Sequence, residues 1–264
     1  MVSTAARTGR TRRTGRARAL AVTGVVAVLA VTATACGNDA KDDKHPDHRA
    51  FVVHGRTLTI DSDNSALEIV PANVDKVKVT RWFKGSVIVG EDPRPTWAMQ
   101  DDRLVLRMKC SGLVASCSAL HRIEVPRGVA VKVEERNGNV RAQDFKEALS
   151  IRTRNGSVRV TGSTGPLTLS SREGSVRATG VGARRLHAET RNGSVHLELA
   201  VAPDRLEAIS RNGSMSIALP QGAYRVTTHT QNGSTHVSVP QDPSSSHVID
   251  TQTRNGSVTV RSAG

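Results

Sequence analysis

One short phrase recurs seven times in the second half of this chain, and that recurrence constrains the fold more than any other feature. It reads Arg136-Asn137-Gly138-Asn139-Val140, Arg154-Asn155-Gly156-Ser157-Val158, Arg172-Glu173-Gly174-Ser175-Val176 and Arg191-Asn192-Gly193-Ser194-Val195. It continues as Arg211-Asn212-Gly213-Ser214-Met215, Gln231-Asn232-Gly233-Ser234-Thr235 and Arg254-Asn255-Gly256-Ser257-Val258. Successive copies are 18, 18, 19, 20, 20 and 23 residues apart. A near-constant period of this size signals stacked or arrayed units, each too small to bury its own apolar face.

The flanks of the phrase alternate with period two. Ile151/Thr153 and Leu186/Ala188/Thr190 precede it, and Val158/Val160 and Val195/Leu197/Leu199 follow it. Such alternation marks half-buried strands. Each unit therefore reads as strand, Asn-Gly turn, strand, and a looser connection such as Gly162-Ser163-Thr164-Gly165-Pro166. Two all-β architectures accommodate this. Asn-Gly on its own favours the tight turn of an antiparallel meander or sandwich. The residue before the Arg favours a parallel β-solenoid: it is Thr153, Ser171, Thr190, Ser210, Thr230 and Thr253 in six successive copies. A stacked ladder of inward hydroxyls explains that sameness, whereas a meander requires no such match. The expectation is thus a β-helix-like solenoid with coils of 18–23 residues, spanning 136–264. Residues 51–135 repeat less clearly and hold most of the aromatics, among them Trp82, Phe83 and Trp97; they are expected to cap the first coil. Asp63-Asn64-Ser65-Ala66-Leu67 reads as a degenerate first rung.

The recurrent N-G-S-V-x-V rungs, a lipobox-like site at Cys36 and the segment Val125-Pro126-Arg127-Gly128-Val129 resemble the bacterial putative-adhesin family, a domain of unknown function. The resemblance covers roughly residues 55–262. It implies a right-handed solenoid exposed at the cell envelope, and it brings no catalytic or binding residues with it.

The N-terminus carries an address. Six arginines between Arg7 and Arg18 precede an uncharged run from Ala19 to Ala35, followed by Ala33-Thr34-Ala35-Cys36-Gly37. A basic start, an apolar stretch and small residues before a cleavage point make a secretory signal over 1–35. The Cys directly after them is expected to be lipidated, tying the chain to the membrane. Residues 36–50, polar and charged, are expected to be a disordered tether. Cys110 and Cys117, outside the cytoplasm, are expected to pair as a disulfide.

The net charge of the whole chain is +13, and without the six signal arginines about half of it remains. Stacked coils would align Arg136, Arg154, Arg172, Arg191, Arg211 and Arg254 in a column, with Gln231 interrupting it. Unit charges ~4.8 Å apart repel by ~0.9 kcal/mol per pair in water. That repulsion calls for nearby acids, such as Glu135, Glu173 and Glu189, or for an anionic partner such as a cell-wall polymer or acidic polysaccharide gripped by Arg forks. Nucleic acid is not expected, because stacking aromatics are absent from the repeats. No metal or cofactor is expected. The alternative is a β-helix-type polysaccharide-active enzyme. It would need close carboxylates, and the acids of the repeats, dispersed and mostly beside Arg, do not suggest aligned pairs.

Overall fold

In each repeat two short strands meet at the Asn-Gly phrase, and the computed structural model shows that they enter two different sheets. The structure describes residues 39–263; the signal segment 1–35 and Cys36 lie outside the described residues. One sheet has 11 strands and the other 10, and apart from three antiparallel pairs at the N-terminal end every named strand pair is parallel. The fold is therefore the all-β solenoid and not the meander.

Nine coils occur among the described residues. In chain order, coil 1 comprises Thr57–Ser62 with Ala66–Ala72, coil 2 Arg103–Lys109 with Ala115–Pro126, and coil 3 Ala130–Asn137 with Val140–Gln143. Coil 4 comprises Leu149–Asn155 with Val158–Thr161, coil 5 Leu167–Glu173 with Val176–Val181, and coil 6 Arg185–Asn192 with Val195–Leu199. Coil 7 comprises Arg205–Asn212 with Met215–Leu219, coil 8 Arg225–Asn232 with Thr235–Val237, and coil 9 Val248–Asn255 with Val258–Ser262. The stacking order is not the chain order. In both sheets it runs 2-1-3-4-5-6-7-9-8. At each end, the first or last coil of the chain is inserted between two others.

Stacking is in register, so like residues meet. Leu149, Leu167, Leu186 and Leu206 form one inward column, and Val140, Val158, Val176 and Val195 another. These side chains are buried. Full burial of each contributes roughly 1.5–3 kcal/mol. A space filled by matched aliphatic columns has little need of aromatics, which accounts for their scarcity. Coil 8, the outermost at its end, has only one neighbour. Its inward positions are Val226, Thr228 and Thr230, all half-buried, where coil 7 has buried Leu206, Ala208 and Ser210. Its second strand is only three residues long. A polar inner face and a short edge strand limit further strand addition.

The N-terminal end is built differently. Arg94–Gln100 forms an antiparallel hairpin with coil 2, and Val77–Val87 runs antiparallel to Ala115–Pro126. Asp47–Phe51 adds an edge strand on Val77–Val87, and Ala40–Asp42 forms a 3-10 turn against the same strands, with Ala40 buried. The expectation of a disordered tether over 36–50 therefore fails across its described part. Specific contacts outweigh the polar composition. Arg81 pairs with Asp47 at 2.7 Å, Asp43 accepts the Phe83 N–H at 3.1 Å, and the Ala40 N–H donates to Ser118 Oγ at 3.3 Å. Trp97 closes the end of the core, edge-on to Phe51 and His121, with the Arg81 guanidinium 4.1 Å from its ring centre. Trp82 and Trp97 thus belong to the cap, and Cys110 and Cys117 form the expected disulfide.

Candidate functional site

The corner made by the phrase shows what each of its letters does. The hydroxyl before the Arg points inward and donates to a glycine carbonyl of the adjoining coil: Ser171 to Gly156 O at 2.8 Å, Thr190 to Gly174 O at 2.8 Å, Ser210 to Gly193 O at 3.3 Å, and Thr253 to Gly213 O at 3.3 Å. The Asn side chains stack. Asn155 donates to Asn137 at 2.6 Å, Asn212 to Asn192 at 2.6 Å, Asn255 to Asn212 at 2.6 Å and Asn232 to Asn255 at 2.8 Å. Glu173 stands in the ladder at coil 5; it accepts from Asn192 at 2.9 Å but has no proton to offer Asn155 when ionised. The Gly is obligatory. A Cβ at Gly213 would meet the carbonyl oxygen of Gly193, and its φ of +152° is a conformation that favours glycine. The Ser of the phrase is structural too, since Ser157 Oγ accepts the Ser175 N–H at 3.3 Å.

Only the arginine has no part in this corner. Arg136, Arg154, Arg172, Arg191, Arg211 and Arg254 are all exposed, one per adjoining coil, between positions paired in register on both sides. Adjacent coils are one strand spacing apart, ~4.8 Å. The interruption expected at Gln231 does not occur. Because coil 9 lies between coils 7 and 8, Arg254 follows Arg211 directly and Gln231 terminates the column, accepting a bond from Arg254 Nε at 3.0 Å. Six arginines are therefore contiguous.

The acids expected to offset them are otherwise engaged. Glu135 occupies the inward hydroxyl column between Ser62 and Thr153. It is 5% exposed, with Oε1 accepting the Arg136 and Asn137 N–H groups at 3.1 Å and Oε2 unpaired. Burial pushes its carboxyl up to about 7 against the opposing hydrogen bonds from Ser62 and the backbone. Glu173 serves Asn192, and Glu189 faces His187 at 3.9 Å. Among the described residues, none of the six arginines has a carboxylate oxygen within 4.0 Å.

Beside the column lies an open groove of about 650 Å³, lined by Arg136, Arg154, Arg172 and Arg191 together with Arg152, Ser170, Glu134 and Asp61. Its acidic end corrects one expectation from the sequence: aligned carboxylates do occur. Asp61 pairs in register with Glu134, and Glu207 with Asp250. The first pair is saturated with cations. Arg103 bridges both carboxylates at 2.8 Å, Arg107 reaches Asp61 at 2.9 Å, and Lys132 reaches Glu134 at 2.7 Å. Burial alone would raise Asp61, but the Arg107 and Arg103 hydrogen bonds outweigh it and hold it below the ordinary carboxylate range. The Lys132 hydrogen bond does the same for Glu134 against a smaller burial effect.

A second basic row escaped the sequence reading. Arg141, Arg159 and Arg177 align in register on the other sheet, followed by His196. They occupy the x of N-G-S-V-x-V, so the repeat itself carries the signal. Burial and then Arg177 depress the His196 pKa. Among the described residues no cluster of three or more His, Cys, Asp or Glu is placed to hold a metal.

The geometry defines a two-sheet parallel β-solenoid with an unneutralised basic corner. The chain belongs to the Toastrack DUF4097 family, which matches residues 118–262, more than half of its length. No curated protein matches the chain. Two crystal structures resemble it. One, described as a putative adhesin from Bacteroides fragilis, is 14% identical with a TM-score of 0.52, over 84% of this chain and 98% of that one. The other, described as a putative cell adhesion protein from Clostridium sporogenes, is 12% identical with a TM-score of 0.33, over 83% of this chain and all of that one.

Proposed function

We propose that this protein is a lipid-anchored binding module of the cell envelope whose arginine column grips an anionic polymer carrying phosphate or carboxylate groups. One observation carries the reading: six exposed arginines stand one strand apart with no carboxylate partner. The corner's architecture uses Asn, Gly, Ser and Thr but nothing from Arg, so packing does not account for the arginine. Each neighbouring pair costs ~0.9 kcal/mol before salt screening. A polymer with regularly spaced anions would remove that cost and form bidentate contacts along the column. The disulfide fits an oxidising, extracytoplasmic setting, and the sequence before Cys36 fits export and lipidation.

Specific observations count against the polysaccharide-cleaving alternative. General acid catalysis needs a carboxyl that holds a proton near neutral pH and can reach substrate. Asp61 and Glu134 are held ionised, and Glu135, the carboxyl raised to about 7, points inward.

The test is retention of the full chain on purified cell-wall polymer across a salt series, beside an Arg154→Ser/Arg191→Ser/Arg211→Ser variant. Wild-type retention should fall with salt, and the variant should elute well before it. Equal retention of the two proteins disproves the arginine column as a binding site.

A further inference from the structure

Coil 2 departs from the other coils at its corner. Coil 1 passes from Ser62 to Ala66 with three residues between them, whereas the aligned positions in coil 2, Leu106 and Leu120, are separated by thirteen. The additional chain forms an arm. The ladder between Val77–Val87 and Ala115–Pro126 continues past the strand ends, with the Ile88 N–H donating to Val114 O at 3.0 Å and the Leu113 N–H to Val89 O at 2.8 Å, as far as a Gly90–Gly112 bridge. The Cys110–Cys117 disulfide ties the arm at its base.

The tip of this arm is apolar and bare. Ile88 is 75% exposed, Val89 55%, Leu113 84% and Val114 58%. Among the described residues only two other large aliphatic side chains are comparably exposed, Val52 and Val201, each apart from the arm in sequence. Four exposed aliphatic side chains gathered on two hydrogen-bonded chain segments are a mark of an interaction site.

The segment packed at the base of the arm indicates what covers the tip. The Ala40–Asp42 turn packs against the same two strands that extend into the arm, with Lys84, near the arm's base, paired to Asp42 at 3.8 Å. Cys36 is three residues before Asp39 in the sequence, and three residues span at most ~11 Å, so a lipid carried by Cys36 would hold the Asp39 end of this turn close to a bilayer. A lipid on Cys36 would bring the bilayer surface to this end of the molecule.

We propose that the Ile88–Val89/Leu113–Val114 tip inserts into the membrane surface beside the lipidated Cys36. It docks the solenoid on the bilayer at its N-terminal end rather than leaving it free on a leash. The inference rests on the lipid-anchor reading above but not on the arginine column.

The experiment uses the full chain, lipidated in cells and reconstituted into phosphatidylethanolamine–phosphatidylglycerol vesicles. An environment-sensitive fluorescent amino acid replaces Leu113, or His236 in coil 8 as the distant control. The expected result is flotation with vesicles, a blue shift and quenching by a lipid-borne quencher at position 113, and neither effect at 236. An Ile88→Asp/Val89→Asp background should abolish the shift at 113 while flotation persists. Flotation with a water-like spectrum at 113 overturns the docking arm and leaves the anchor standing. A shift that survives the two aspartates also overturns it. Failure of the chain to float, with no lipid mass on Cys36, overturns both.

Discussion

Coils 4 to 7 and coils 1 and 2 solve the same stacking problem by opposite means. The central coils repeat one solution: apolar inward positions meet apolar neighbours in the next coil, and the Asn, Gly, Ser or Thr of the corner recurs from level to level except at Glu173. The N-terminal coils use unlike partners. Arg103 bridges Asp61 and Glu134, Arg81 joins Asp47 to Trp97, and a disulfide ties the arm. In the first scheme any residue left out of the column contacts is conspicuous, which is why the arginines stand out. In the second nearly every charge is answered, and the exposed aliphatic tip is what remains unexplained by packing. The contrast teaches that function in a repeat protein is sought among residues that recur without structural need, and in the irregular region among those that lack a partner.

Substitutions can break this contrast, and the largest effect is expected in the glycine column. Gly213→Ala forces a Cβ against the Gly193 carbonyl at a φ of +152° and should destabilise by about 4 kcal/mol in urea unfolding. Gly180→Ala, at a φ of +61° with open space around it, should cost only about 1 kcal/mol.

The boundary between the two schemes is Glu135, and its effect depends on pH. Its carboxyl is raised to about 7 in the folded chain from an ordinary 4.5, so the folded state binds more protons than the unfolded one between those values. Stability contributed here is lost as pH rises through that window. Glu135→Gln should therefore stabilise the protein at pH 8 by on the order of 2 kcal/mol and change little at pH 4. His121, buried and lowered to about 3 by burial and then by Arg81, acts in the opposite sense, costing stability as pH falls below 6.5. Only the difference between wild type and variant isolates Glu135. An equal gain at both pH values would refute the assignment.

Removing the disulfide through Cys110→Ser/Cys117→Ser opens only a short loop in the unfolded chain and should cost ~2 kcal/mol. Hydrogen exchange should rise in 85–93 and 110–117 and remain unchanged in the repeats. Thr190→Val keeps the shape but removes the bond to Gly174 O, for about 1–2 kcal/mol. Smallest and opposite in sign, Glu173→Asn would let coil 5 donate to Asn155 and still accept from Asn192, gaining roughly 0.5–1 kcal/mol. It would also remove a negative charge beside the column and strengthen polymer retention.

The repeated part of the fold was legible because its information is local. A hydroxyl before each Arg reveals an inward column, since only parallel stacking rewards sameness at that position. The placement of coils 8 and 9 was not legible. Their phrases are nearly interchangeable, so the preference for 9 beside 7 resides in the sum of many contacts; Thr228 and Thr230, suited to a half-exposed terminal face, were the one hint. The carboxylate pairing of Asp61 with Glu134 was hidden because coil 1 lacks the Arg that marks the register elsewhere. Residues 40–50, within the expected tether, read as solvated because composition does not reveal that Asp43 and Asp47 have partners far along the chain.

The insertion of coil 1 between coils 2 and 3, and of coil 9 between coils 7 and 8, limits how such a molecule can vary in size. A further unit appended after Ser262 would find coils 7 and 8 already occupying both flanks of coil 9 and would have to cross coil 8 to reach a free edge. A unit duplicated between coils 4 and 5 would meet its own image above and below. Lengthening by internal duplication is the route that keeps each new coil beside its neighbours in sequence, and each added unit would carry one more arginine into the row.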